Sequence, residues 1–128
     1  MIQLDLSDHR PLYEQIKEKM KELIITGVIG QDEKMPSVRE LAQQLSINPN
    51  TIQRAYKDLE NEGYIYSVRA KGSFAAPVEH IRKKSEISEL AENIEGLVRQ
   101  ARFLGMPKSD LIELVERIYI KVNSTLAL

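Results

Sequence analysis

Residues 36–77 read PSVRELAQQLSINPNTIQRAYKDLENEGYIYSVRAKGSFAAP, and the fold is decided inside them. Ser37 opens SVRE, a capping box in which the Ser side chain accepts from the Glu40 amide while the Glu40 carboxylate reaches back to the Ser37 amide. A short helix starts there, with Val38, Leu41, Ala42 and Leu45 as its buried stripe, and it stops within Ser46-Ile47. Asn48 followed by Pro49 then supplies an N-cap and a proline at the first helical position. Two short helices joined by about three residues form a helix-turn-helix, whose second helix can lie in the major groove of DNA.

That second helix divides into two faces. Ile52, Ala55, Tyr56 and Leu59 follow helical spacing inward, and Asn50, Gln53, Arg54 and Lys57 follow the same spacing outward. Asn50 and Gln53 can pair with adenine edges, Arg54 can pair with guanine, and Lys57 suits a phosphate. Gly63 stops the helix. Two β-prone runs follow, Tyr64 to Ser67 and Ser73 to Ala76, joined by a turn that holds Arg69, Lys71 and Gly72. The hairpin has the form of a wing. From Gly63 to Pro77 it carries two basic residues and no acidic one, so its tip can meet phosphate or a neighbouring minor groove, with Ile65 and Phe74 tucked beneath.

Upstream, Pro11 sits where proline is favoured at the first helical position, and Leu12, Tyr13, Ile16, Met20, Leu23 and Ile24 recur at helical spacing until Gly27. The opposite face carries Glu14, Lys17, Glu18, Lys21 and Glu22, which reads as a mixed-sign solvated surface. Before it, Ile2, Leu4 and Leu6 alternate with polar residues, the pattern of a short edge strand. Turn chemistry concentrates before residue 78, which predicts a compact domain over 1–76 and a helical region over 78–128.

The helical region reads as a dimerisation device. Ile87, Leu90, Ile94, Leu97, Ala101 and Leu104 make an a/d progression, widened by Ala91 and Val98, on a helix roughly 39 Å long at ~1.5 Å per residue. Gly105 and Pro107 turn the chain, and Ser109 with Asp110 can cap a second helix bearing Leu111, Leu114, Val115, Ile118 and Val122. Two helices make a poor core alone, and a second copy of the same region, in a twofold homodimer, is the natural cover. The competing arrangement is a monomer whose hairpin folds back on its own DNA-binding domain.

Composition narrows the rest. The 128 residues include 18 Lys and Arg, 19 Asp and Glu, and no Cys, which excludes disulfide frameworks, Cys-ligated zinc and thiol catalysis. No run approaches the roughly 18 apolar residues of a membrane span, and the opening lacks an export signal, so the chain is expected to be cytoplasmic with no membrane partner. His9 and His80 show no metal-ligand pairing, and no convergent polar set suggests catalysis, so neither a metal, a cofactor nor an enzymatic role is expected. Residues 1–77 carry 10 basic and 11 acidic side chains, too near neutrality for a nonspecific packaging protein. Local placement must carry the electrostatics, with Arg39, Arg54, Lys57, Arg69 and Lys71 on the elements that would meet DNA. A polar helix face alone is ordinarily just solvated, and a winged helix used only for protein contacts is the alternative reading. The order of caps, turn, two-faced helix and basic hairpin favours DNA.

Residues 11–76 resemble the winged helix-turn-helix domain of the GntR family of bacterial transcription regulators, most specifically in MPSVRELA, NPNTIQRAYKDLENEGYI and the KGSF of the wing. The short remainder resembles the YtrA type of that family, which lacks a large ligand-binding domain. The resemblance implies that Ser37 presents a helix N-terminus to phosphate and that Arg39 contacts DNA. It places Asn48, Asn50, Thr51 and Gln53 at the start of the recognition helix, gives Arg54 and Tyr56 to the DNA backbone or helix packing, and puts Lys71 and Gly72 at the wing tip. Pro49 stands where many relatives have Arg, and Ala70 where a second wing glycine is common. A twofold dimer bound to double-stranded DNA would place its recognition helices on half-sites about one turn apart, so a palindromic operator is expected, and the resemblance implies repression of a neighbouring operon, often a transporter operon. A small-molecule effector, if used, would bind between subunits or beneath the DNA-binding domain.

Overall fold

The computed structural model describes residues 2–5 and 7–126. Along them the chain forms α1 (Leu12–Ile25), α2 (Val38–Leu45), α3 (Pro49–Asn61), β1 (Ile65–Val68), β2 (Gly72–Ala75), α4 (Val78–Phe103) and α5 (Lys108–Leu126). This is the mainly helical fold with a small β wing that the sequence anticipates.

Helix α1 starts one residue later than the proline rule suggests. Pro11 is its N-cap, with φ −54° and ψ 150°, and the Pro11 carbonyl accepts the amides of Glu14 and Gln15. Gly27 ends the segment at φ +80°, a conformation open to glycine because it has no Cβ. The anticipated edge strand does not form over Ile2–Asp5, and Leu6 lies outside the described residues. Gln15 supplies the reason. Buried on α1, it accepts the Asp5 amide at 3.1 Å and donates to the Arg10 carbonyl at 3.0 Å, so a side chain ties the segment down where a ladder would have. The alternation still has a use, because Ile2 and Leu4 rest half-buried against the core.

The helix-turn-helix forms from the caps. Ser37 Oγ accepts the Glu40 amide at 3.0 Å, which is half of the capping box; the return bond from the Glu40 carboxylate does not occur among the described residues. Ser46 takes the left-handed conformation at φ 54° and ψ 45°, and Ile47 N–H bonds back to the Ala42 carbonyl at 3.0 Å, closing α2. Asn48 Oδ1 accepts the Asn50 amide at 2.9 Å, with Pro49 at the first position of α3. Ile52, Ala55, Tyr56 and Leu59 are buried, as their spacing requires.

Ile16 and Met20 from α1, Leu41 from α2, and Ile52 and Leu59 from α3 are the large side chains at the centre. Each such burial stabilises by about 1.5–3 kcal/mol relative to exposure. Ile65 and Ala75 close the core from the wing. The strands pair antiparallel from Ile65↔Ala75 to Val68↔Gly72, close to the ranges read from sequence. Phe74 is only half-buried and stacks on Tyr66 at 5.7 Å between ring centroids, so of Ile65 and Phe74 it is Ile65 that tucks fully under the wing. The loop before α2 lines the outer side of β2, with the Met35 amide donating to Ser73 O and the Ala75 amide to Glu33 O. No alternation in sequence announces that pairing.

Ile81 of α4 is buried in the same core, so the first compact unit runs to Glu86, beyond the punctuation at Pro77. The second unit begins at Ile87. In it, Gly105 at φ +81° and the Met106 amide bonded to Ala101 O end α4. The Pro107 carbonyl accepts the Asp110 and Leu111 amides, so Ser109 and Asp110 lie in the first turn of α5 and do not cap it. From Ile87 to Ser124, Ala101, Leu111 and Leu114 are half-buried and every other residue is exposed. None of the helices is long and apolar enough to cross a membrane, among the described residues.

Candidate nucleic-acid interface

The anticipated site residues fall on three elements. Ser37 and Arg39 open α2; Asn48 caps α3, whose first two turns carry Asn50, Thr51, Gln53 and Arg54, with Lys57 one turn on; Arg69, Lys71 and Gly72 form the hairpin tip. All are exposed except Thr51, which is half-buried. Gln53 and Lys57 line a groove of about 360 Å³ between α3 and the wing, together with Glu60, Ser67 and Ser73. Polar helix face and hairpin therefore meet along one surface.

Tyr56 fixes that face to the body. Its hydroxyl donates to the Pro36 carbonyl at 2.7 Å, tying α3 to the residue just before α2. Burial, with a smaller push from the Glu40 charge, lifts the Tyr56 phenol well above the ordinary tyrosine range, so it stays a donor. At the wing tip the Lys71 amide bonds to Val68 O at 3.0 Å and Ala70 sits at φ +66°. A positive φ at that third position marks a type II turn, which usually takes Gly or Asn.

The distribution of ion pairs separates two surfaces. Lys17 reaches Glu62 at 3.1 Å and Asp58 at 3.9 Å, and Lys21 reaches Glu62 at 2.8 Å and Glu18 at 3.4 Å. Burial would raise the Glu62 carboxyl, but hydrogen bonds from Lys21 and Lys17 outweigh it and hold the group below the usual carboxylate range. The α1 charges read as merely solvated are thus partly a clamp on the C-terminal end of α3. By contrast Arg39, Lys57, Arg69 and Lys71 make no ion pair among the described residues. Asp58 and Glu62 are taken up by Lys17 and Lys21, away from these four cations.

Two nearby side chains escaped the sequence reading. Lys34 is exposed and packs its stem at the wing tip, where a Cβ on Gly72 would stand 3.2 Å from Lys34 Cε. Tyr13 of α1 stacks under Arg54, whose guanidinium carbon lies 3.7 Å from the ring centroid. Neither shows in a one-dimensional pattern, because each depends on packing between elements distant in sequence.

Such a fold and face define a winged helix-turn-helix DNA-binding module. The chain belongs to the GntR family of bacterial regulatory proteins, whose model, "Bacterial regulatory proteins, gntR family", matches residues 12–74. It is 36% identical over 124 residues to the HTH-type transcriptional repressor YtrA of Bacillus subtilis, covering 96% of this chain and 95% of that protein. It is also similar to the structure of YtrA from Sulfolobus acidocaldarius, a GntR-family transcription factor, with 29% identity, a TM-score of 0.57, and coverage of 95% and 99% of the two chains. The DNA-binding domain of AraR in complex with operator ORE1 shares 37% identity with a TM-score of 0.51 over 59% of this chain and 93% of that one.

Proposed function

We propose that the protein is a homodimeric, sequence-specific transcription regulator that binds a palindromic operator and represses a neighbouring operon, one encoding a transporter being the first candidate. The first unit, through Glu86, binds DNA, and the second, from Ile87, pairs the subunits. The observation that carries the DNA reading is the set of exposed cations on α2, α3 and the wing that make no ion pair among the described residues, while Lys17 and Lys21 on α1 are paired with Glu62. Asn50 and Gln53 at the start of α3 read base edges, and Arg39, Lys57, Arg69 and Lys71 neutralise phosphates.

Pairing is supported by the second unit, which exposes Ile87, Leu90, Ile94, Leu97, Val115 and Ile118 at 45–63%. An apolar face of that extent is uncommon on a monomer, and a second copy covers it with the same chemistry. Two α3 helices then address half-sites about one helical turn apart. An effector of metabolite size would fit the cleft of about 860 Å³ beside α1, lined by Gln3, Asp5, Arg10, Glu18, Lys21 and Tyr64. The protein acts in the cytoplasm, where its DNA is, and performs no catalysis.

Selection of bound fragments from random duplex DNA at about 150 mM salt tests the proposal, because electrostatic binding alone is strongly reduced there. A palindromic motif with half-sites about one turn apart is the expected result. Absence of enrichment, with the purified protein folded, would mean either that an effector is required for binding or that the winged helix serves a protein partner.

A further inference from the structure

Tyr13 lies in the first turn of α1 and Arg54 in the second turn of α3, on helices that pack together. The 3.7 Å between the Arg54 guanidinium carbon and the Tyr13 ring centroid is van der Waals contact, which a planar group reaches by lying over the ring face. Arg54 makes no hydrogen bond or ion pair among the described residues, so the N–H donors around its edge remain available. A long exposed arginine ordinarily samples many rotamers, and here the ring selects one.

The location of that rotamer decides what the guanidinium can touch. Paired bonds to a guanine require the side chain to extend from α3 into the groove. Drawn onto a different helix, outside the helix-turn-helix, Arg54 turns its donors to whatever passes the α1–α3 junction. A guanidinium held there suits a backbone phosphate, because its fork fits two phosphate oxygens.

We propose that Tyr13 is a positioning residue for DNA binding, which by stacking under Arg54 presets the guanidinium as a clamp on a backbone phosphate and withdraws it from base reading. The proposal rests on the DNA-binding reading above. A stack of this kind at an exposed site corresponds to about two- to fivefold in affinity.

The test is a double-mutant cycle of Tyr13→Leu and Arg54→Ala, with Tyr13→Phe and Arg54→Lys alongside, titrated by fluorescence anisotropy against the selected operator and an unrelated duplex of equal length. NMR of the free proteins reports the stack independently, as an upfield ring-current shift of the Arg54 δ-protons that Tyr13→Leu removes and Tyr13→Phe keeps. Tyr13→Leu is expected to weaken both duplexes by about two- to fivefold and to add nothing in the Arg54→Ala background, while Tyr13→Phe binds as wild type. Arg54→Ala lowers the salt slope by about 1 without relaxing any base position. Arg54→Lys, at an exposed position that does not threaten folding, keeps the charge, loses the flat stack, and weakens both duplexes alike. A full Tyr13→Leu effect in the absence of Arg54, a loss of base preference at one position in Arg54→Ala, or the absence of the ring-current shift overturns the proposal and leaves the regulator reading standing. Failure of the wild type to bind any duplex would overturn both.

Discussion

Replacing Tyr56 by Phe removes one oxygen and tests how the recognition helix is held. The lost bond is the 2.7 Å contact to the Pro36 carbonyl, made by a residue only 6% exposed. A hydrogen bond of this kind contributes about 0.5–1.5 kcal/mol net, and an acceptor left dry costs about 1–3 kcal/mol. Pro36 is half-buried, so water can partly replace the hydroxyl, which places the loss at about 1–2 kcal/mol. For a domain of this size that is about 4–16 °C in Tm, at about 4–8 °C per kcal/mol. The pH dependence provides a second reading. Because the folded phenol is held above its unfolded value near ~10, its contribution is complete below that pH and is lost as pH rises toward the folded pKa. Urea denaturation at pH 7 and at steps up to pH 11 should therefore show Tyr56→Phe less stable at neutrality, with a shallower alkaline decline than wild type. Equal stability at pH 7, or parallel alkaline declines, would refute this account of the α3 anchor.

At the wing tip, Ala70→Gly relieves a left-handed alanine and, after the entropy of the added glycine, should stabilise by about 0.5–1 kcal/mol in urea denaturation; a loss would contradict the turn geometry. Glu62 has a lowered carboxyl pKa, so its stabilisation is present above the unfolded value of about 4.3 and is lost as pH falls through the lower folded value. Its side chain is 39% exposed and screened, so Glu62→Gln should cost about 0.5–1 kcal/mol at pH 7 and progressively less as the pH falls below the unfolded value, as read from urea midpoints along an acid series. In the second unit, Leu97→Glu places a charge in the apolar stripe and should shift sedimentation at about 10 μM from dimer to monomer while leaving the circular dichroism of the first unit in place.

How much could be read from sequence depended on how local the physics was. Ser37 and Asn48 cap amides within a turn, and Pro49 and Gly63 set their own backbone angles, so the bounds of α2 and α3 were legible, and helical spacing identified Ile52, Ala55, Tyr56 and Leu59 as buried. The opening segment misled because alternation reports which side chains face the core, whereas a strand also needs a partner edge. Here Gln15 took the backbone bond instead. Lys17 and Lys21 looked solvated because their partner Glu62 is over forty residues away in the chain. For the interface, the sequence identified the exposed polar face and basic hairpin. It could not show that Arg54 leans on Tyr13 or that Lys34 lies against Gly72, since both contacts arise from tertiary packing.

The central claim is that α3 reads bases with Asn50 and Gln53 while the surrounding cations hold phosphates. Anisotropy titrations of wild type, Asn50→Ala, Gln53→Ala and Lys57→Ala against the selected operator, single-base variants of it and an unrelated duplex test this most directly. The account predicts that Asn50→Ala and Gln53→Ala each lose about 1–3 kcal/mol on the operator, tolerate substitution at one base position, and bind the unrelated duplex as wild type does. Lys57→Ala should weaken all duplexes alike and flatten the salt dependence. Uniform losses from Asn50→Ala and Gln53→Ala on every duplex, or no loss at all, would contradict it.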